Sequence, residues 1–301
     1  PMQWFRRGCF SLFFRGAAST AVLLGSALPA VANPVVPTWT QWTGNADSAW
    51  STAGNWSSNL STQVAPTSTL DAILPQTVPS TATIDLGSGA AAKSLFVDNV
   101  GYSLQNGDLT LANQLWIQQT GGAGLTLASN GTISTPNTTL GYDVGKSGTL
   151  VSLGSVTTGG LVVGQGGSSS VLKVGDSSIS AAGALSATGT DVVIGAVSGA
   201  AGNTISVSSG GSQFAAAANV IVGQGGGSSA FEVKSGASAT AAGVRLGIDA
   251  GSTGNTVTVD GAGSTLGTSN QAVYVGIAGS GNTFSITNGG VVTIGGSVRC
   301  V

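Results

Sequence analysis

Residues 220–236 read Val220-Ile221-Val222-Gly223-Gln224-Gly225-Gly226-Gly227-Ser228-Ser229-Ala230-Phe231-Glu232-Val233-Lys234-Ser235-Gly236. A short apolar strand ends at a glycine, and a small polar turn follows. A second strand then places its apolar residues, Phe231 and Val233, at alternate positions. That period of two marks a strand with one buried face. Another glycine closes it.

The same unit recurs on both sides. The first strand returns as Leu161-Val162-Val163-Gly164, Val192-Val193-Ile194-Gly195, Val244-Arg245-Leu246-Gly247 and Val273-Tyr274-Val275-Gly276, with glycine intervals of 31, 28, 24 and 29 residues along the series. The second returns as Val171-Leu172-Lys173-Val174, Thr204-Ile205-Ser206-Val207, Thr256-Val257-Thr258-Val259 and Thr283-Phe284-Ser285-Ile286. An Ala-rich or Thr-rich stretch leads to each next copy. Fainter copies run upstream through Leu115-Trp116-Ile117 and Thr138-Thr139-Leu140-Gly141.

Repeats of this length, with two or three short strands joined by glycine turns, predict one coil of a parallel β-solenoid. One coil cannot bury its inward row alone, whereas a stack can. A β-propeller needs roughly 40 residues or more per blade. A disordered chain would show poor hydrophobicity, yet mean hydropathy is +0.34. Glycine and β-branched density argues against long helices. The expected class is all-β: a parallel β-solenoid (β-helix) with an N-terminal Trp-rich cap. Leu172, Ile205, Phe231, Val257 and Phe284 should form one interior column, with Lys173, Ser206, Glu232, Thr258 and Ser285 pointing out.

Composition shifts set the expected boundaries. Residues 33–85 hold Trp39, Trp42, Trp50 and Trp56, and five of the eight prolines lie between Pro34 and Pro79. From 86 to 301 the coils take over. Residues 1–32 read as a secretory signal, with Arg6, Arg7 and Arg15 before an apolar run from Ala17 to Leu28. Ala30-Val31-Ala32 then predicts cleavage before Asn33. The run is too short to span a bilayer, which needs roughly 20 residues. Arg6-Arg7 leaves both general secretory and twin-arginine export open. Cys9 precedes the apolar run, so it is not placed to carry a lipid. After cleavage only Cys300 remains, and no internal disulfide is expected.

The 301 residues include 49 glycines and no histidine, and 7% are charged, against roughly 25% in an ordinary domain. Nine Lys/Arg face eleven Asp/Glu, which removes a nucleic-acid binder working by counterion release. Absent histidine removes Ser-His-Asp triads and most zinc sites. Calcium nonapeptides need an Asp where Gly279-Ser280-Gly281-Asn282-Thr283 and Gly254-Asn255-Thr256 offer Thr, so no metal is expected. Gly164-Gln165-Gly166-Gly167 lacks the G-K-[ST] of a phosphate loop, and no cofactor is expected. Lys146-Ser147 is adjacent rather than spaced for catalysis.

The acids are scattered, with no D-x-D pair. Asp249 and Asp260 with Arg245 come nearest to a group, and the plain reading of each Asp is a solvated turn. No catalytic residue is expected. An ice- or mineral-binding array of threonines is disfavoured, because Thr256-x-Thr258 does not recur on every coil. The tryptophans have two readings. As structure they cover the open end of the first coil. As function, Trp39, Trp42, Trp50 and Trp56 stack on a glycan or partner.

Trp42-Thr43-Gly44, Trp50, Asn55-Trp56, Pro66-Thr67, Asp71-Ala72 and Ile84 resemble the opening of many bacterial autotransporter-like surface proteins. The tandem VxVG…GNTxxVxxGG units are similar to the passenger repeats of that group. The resemblance covers most of the chain beyond residue 32. It implies a parallel β-helix passenger, exported and displayed at the surface or outside of a Gram-negative-type bacterium. The family ends in a membrane β-barrel, whereas this sequence stops at Arg299-Cys300-Val301. A fragment without the barrel is therefore expected, with membrane contact only through that missing part or another anchor. The expected function is a non-enzymatic structural or adhesive module meeting an unidentified surface or glycan, and no nucleic acid. The alternative is a glycan-active solenoid enzyme of the polysaccharide lyase or hydrolase type.

Overall fold

In the computed structural model the described residues are 38–60, 62–76, 82–99 and 101–300. The expected signal peptide (1–32), with Cys9, lies outside them. Almost every regular element is a strand; a single 3-10 turn, Ala53–Asn55, is the exception, and no α-helix occurs among the described residues.

The strands wind into a solenoid of about nine turns, and every coil-to-coil pairing is parallel. Each complete coil has three faces. In one coil the first face is Ala230–Lys234, the second Ser238–Ala241 and the third Val244–Leu246. Each pairs with the equivalent strand one coil on: Thr256–Asp260, Thr265–Thr268 and Val273–Val275. Strand ladders between coils consume the backbone donors and acceptors, which is how a chain with few charges meets its hydrogen-bonding needs. Nearer the N-terminus single strands run around corners: Ala82–Val97 and Tyr102–Ile117 pair along most of their length, with register shifts where they bend. Strand Ala82–Val97 passes through residues 85 and 86 without a break.

The predicted interior column is present. Leu172 pairs with Ile205, Ile205 with Phe231, Phe231 with Val257 and Val257 with Phe284. The first four are fully buried, and Phe284 is half-buried against the core. A buried Leu, Ile, Val or Phe contributes about 1.5–3 kcal/mol through burial alone, and this column is one of several. Leu109, Ile133, Val156 and Leu185 continue the second face. Leu161, Val192, Val220 and Val244 continue the third.

Side-chain volume is exchanged between neighbouring coils. Phe214 on the second face has Ala239 as its register partner in the next coil. That coil instead carries Phe231 on the first face, and the two rings meet with centroids 5.4 Å apart. Large opposite small keeps the narrow core filled.

The outward column holds with one refinement. Lys173, Ser206, Glu232, Thr258 and Ser285 are register partners, but Ser206 is only 8% exposed. Its short side chain sits between the longer Lys173 and Glu232 and is shielded by its neighbours.

The third face departs from simple alternation. Val192–Ile194 and Val220–Val222 are buried at every position. Their outward residues, Val193 and Ile221, form a second small core with Ala196 and half-buried Val162 and Ile248. The loops after this face fold back over it and stack on one another. Backbone amides of Gln165, Ala196, Gln224 and Ile248 donate to the carbonyls of Gly141, Gly164, Gly195 and Gly223. The continuous apolar run of these strands is the pattern of a strand covered on both sides.

Candidate functional site

Within the Trp-rich segment, strand Trp39–Trp42 pairs antiparallel with Trp56–Ser58 and parallel with Asp71–Leu74. The latter pairs with residues 95–97 and so opens the third face. Asn55, fully buried, holds the intervening turn. Its Oδ1 accepts the amides of Ala46 and Asp47 at 2.9 Å each, and its Nδ2 donates to Asp47 Oδ1 (2.6 Å) and Ala49 O (2.9 Å). The Ala49 amide, followed by Asn55 and then Thr52, holds the Asp47 carboxyl below its ordinary range. The indole of Trp56 lies edge-on to Trp42 (5.1 Å) and Trp50 (4.9 Å) and donates from Nε1 to Trp50 O at 2.8 Å. Trp42, Trp50 and Trp56 are at most 2% exposed and belong to the main core. Three of the four candidate contact residues therefore turn inward; Trp39 is half-buried.

A second aromatic group is largely covered, with Trp116 only 3% exposed and Phe96 and Tyr142 half-buried. On the outside of the third face, Phe96 pairs in register with Trp116. Their rings meet edge-on at 5.2 Å, and Tyr142, from the loop above, stacks on Trp116 at 4.7 Å. A polar group adjoins them. Gln118 Nε2 donates to Asp143 Oδ2 (3.0 Å), the Asp143 amide donates back to Gln118 Oε1 (2.8 Å), and Lys146 Nζ pairs with Asp143 Oδ2 (3.5 Å). Burial pushes the Asp98 carboxyl up, opposed by the Lys146 charge. Phe96 and Trp116 were legible as outward positions flanked by Leu95 and Val97, or Leu115 and Ile117. Tyr142 and Lys146 reach them only through the fold-back of the loop.

Asp249, Asp260 and Arg245 do not form a group. Arg245 lies outward on the third face and donates from Nη2 to Gln271 Oε1 at 3.2 Å. Asp260 ends a first-face strand, where Thr287 and Asn288 donate to its Oδ1 at 2.6 and 2.7 Å and hold it below its ordinary range. Asp249 lies in the loop after Leu246. Among the described residues no three His, Cys, Asp or Glu side chains gather around one point.

A shallow, open groove of about 530 Å³ lies where the first face turns into the second. It spans four successive coils. Thr132, Ser155, Ala184 and Gln213 are register partners and form its floor, and the corner turns around Asn130, Gly154, Gly183 and Gly211 form its side. No charged residue lines it. Chemically it offers hydroxyls and amides from three of its four coils. No known protein family, characterised protein or solved structure matches the chain.

Proposed function

We propose that this chain is an exported, non-enzymatic β-solenoid passenger that serves at the bacterial cell surface as a structural and adhesive module. The observation that carries this reading is the second face. Beyond Asp108, the register partner of Thr132, its outward positions run from Thr132 through Ser155, Ala184, Gln213 and Ser238 to Thr265 without a charged side chain. The parallel column Ser134, Thr157, Ser186, Ala215 and Thr240 is equally neutral. A rod with one long, uncharged, hydroxyl-bearing side suits repeated weak contacts along an extended partner, where many small contributions add through effective concentration. The secretory signal read in residues 1–32 and the likeness to autotransporter passengers support the cell-surface setting.

The test is expression of the full reading frame in a Gram-negative host. Protease added to intact cells should remove epitopes placed in the coils, and deletion should lower attachment to surfaces or other cells. Retention of the protein in the cytoplasm, or unchanged attachment, would reject the reading. The alternative, a glycan-active enzyme, draws on Asp98, whose carboxyl is raised by burial and which feels the charge of Lys146. Reducing ends or unsaturated uronates released by purified protein, and lost in Asp98→Asn, would favour it.

A further inference from the structure

The groove at the first corner has a defined chemistry, and it deepens the adhesive reading by naming what is gripped. Ser129, Ser155 and Gln213 point polar side chains into it that make no hydrogen bond within the protein. Thr132 and Asn130 are tied to the preceding coil: Thr132 Oγ1 donates to Asp108, its exposed register partner just outside the groove, and Asn130 Oδ1 accepts the Asn106 amide at 3.2 Å. The floor is therefore a row of held and free hydroxyl and amide groups on three of the four coils, interrupted at Ala184.

Three features restrict the ligand. First, the lining is neutral, so an ionic ligand would lose hydration without a counter-charge. Second, the floor strands are paired on both sides, from Thr132 through Ser155 and Ala184 to Gln213 and onward to Ser238. Their backbone edges are consumed, which closes the strand-addition route by which extended peptides bind sheets. Third, Thr132 and Ser155 lie one rung apart, about 4.8 Å, close to the advance of one pyranose in an extended β-linked chain, and Gln213 lies two rungs beyond Ser155. Hydroxyl and amide groups both donate and accept, as sugar hydroxyls require.

One coil of the groove has an irregular corner. Next to Ala182 and Gly183 the corner is enlarged: residues 175–183 replace the two-residue turn, Leu153-Gly154, of the preceding coil. An antiparallel bridge between Asp176 and Ala181 closes this projection, and Ile179 at its tip is 64% exposed. Of this projection, Ala182 and Gly183 line the groove.

We propose that this groove seats a neutral β-linked oligosaccharide lying along the solenoid axis, with about one sugar unit per coil. The proposal rests on the adhesive reading for its biological setting and on the groove alone for its chemistry.

The experiment uses the purified chain, with binding followed by calorimetry and by amide chemical shifts. The probes are cellohexaose, xylohexaose and chitohexaose, set against hexagalacturonate and an extended Gly/Ser-rich peptide. At least one neutral hexasaccharide should bind, its trisaccharide at least fivefold more weakly, with shifts concentrated at residues 129–132, 153–155, 182–184 and 211–213. Ser155→Tyr, which fills the floor, should weaken binding at least tenfold. Gln213→Ala, an exposed change that leaves packing intact, should weaken it about threefold to fivefold. Thr293→Ala, on the second face but outside the groove, should not alter it. The proposal is overturned if no neutral hexasaccharide binds the folded chain, if the groove variants bind as the parent does, or if the uronate or peptide is preferred. Export and surface attachment are scored separately on cells, so a displayed protein that ignores sugars rejects the groove alone, and a sugar binder retained inside the cell rejects the surface setting alone.

Discussion

The side chain of Asn255 occupies the space beside Gly223, one coil earlier, where any other residue would carry its Cβ. Gly223 also has φ +73°, a left-handed conformation that L-residues rarely adopt. Asn255 is fully buried there: its Oδ1 accepts the Ser229 amide (2.9 Å), and its Nδ2 donates to Ser252 Oγ (3.1 Å) and Asn282 Oδ1 (2.9 Å). The glycine that ends each anchor strand thus makes room for the Asn or Ser that holds the next coil.

Gly223→Ala should therefore destabilise the protein by about 2–4 kcal/mol, combining backbone strain with a displaced buried amide. The double variant Gly223→Ala/Asn255→Gly should recover part of the loss, because the steric component disappears. Urea unfolding of the parent, both single variants and the double would measure the coupling. Strict additivity would contradict this account.

Thr138 interrupts an apolar column. It lies between Leu115 and Leu161 in register, is 1% exposed, and its Oγ1 has no hydrogen-bond partner. Thr138→Val keeps the shape and removes the unpaired hydroxyl. Stability should rise by about 1 kcal/mol, the scale of an unpaired buried polar group in mutational series. A denaturation midpoint that falls would show that the hydroxyl has a role.

Phe231→Ala should cost about 3–5 kcal/mol, the usual range for a buried ring replaced by methyl. The cavity would open beside Phe214 and above Ala239. Adding Ala239→Leu should recover some of the loss by refilling the same layer, whereas Ala239→Leu alone should destabilise by overpacking. Thermal unfolding of the three variants tests whether the coils share one volume.

Tyr102 carries the alkaline limit. It is 2% exposed, its hydroxyl donates to Pro75 O at 2.9 Å, and burial pushes its pKa up to about 12 from 10.0. A folded value above the unfolded one favours the neutral phenol in the native state. The contribution is complete below pH 10 and is lost as pH rises from 10 towards 12. Tyr102→Phe should remove that loss, read as a flatter stability profile across the window.

At the acid end Asp47, Asp176 and Asp260 are held below their ordinary range, chiefly by the Ala49 amide, the Ser178 hydroxyl and the Thr287 hydroxyl respectively. Depressed carboxylates contribute above the unfolded value and lose the contribution as pH falls through the folded one. Tryptophan fluorescence should report loosening around Asp47 first in Asn55→Ala, which removes the amide clasp as well.

How much of this was legible follows from range. The period of two in Ala230-Phe231-Glu232-Val233 and the recurrence of the anchor glycines are local, and parallel stacking of like on like turns a local pattern directly into columns such as Leu172–Ile205–Phe231–Val257. Inward and outward assignment on the first face needed nothing more. Ser206 was misjudged only in degree, because its cover comes from the coils on either side. The cap tryptophans were visible as a cluster, but their inward orientation depends on Asn55 and on pairing with residues 71–74.

The sequence by itself determined the rod: its coil length, its ladder register and its apolar interior, since each follows from spacing repeated along one chain. Only the tertiary structure decided what the outside does. The loop carrying Tyr142 and Lys146 folds back onto Trp116, the loops carrying Ala196 and Ile248 cover Val193 and Ile221, and the enlarged corner at 175–183 places Ala182 and Gly183 in a groove that spans four coils. Those features join residues about one coil apart in sequence through loops of unequal length, and no period in the chain encodes where an irregular loop comes to rest.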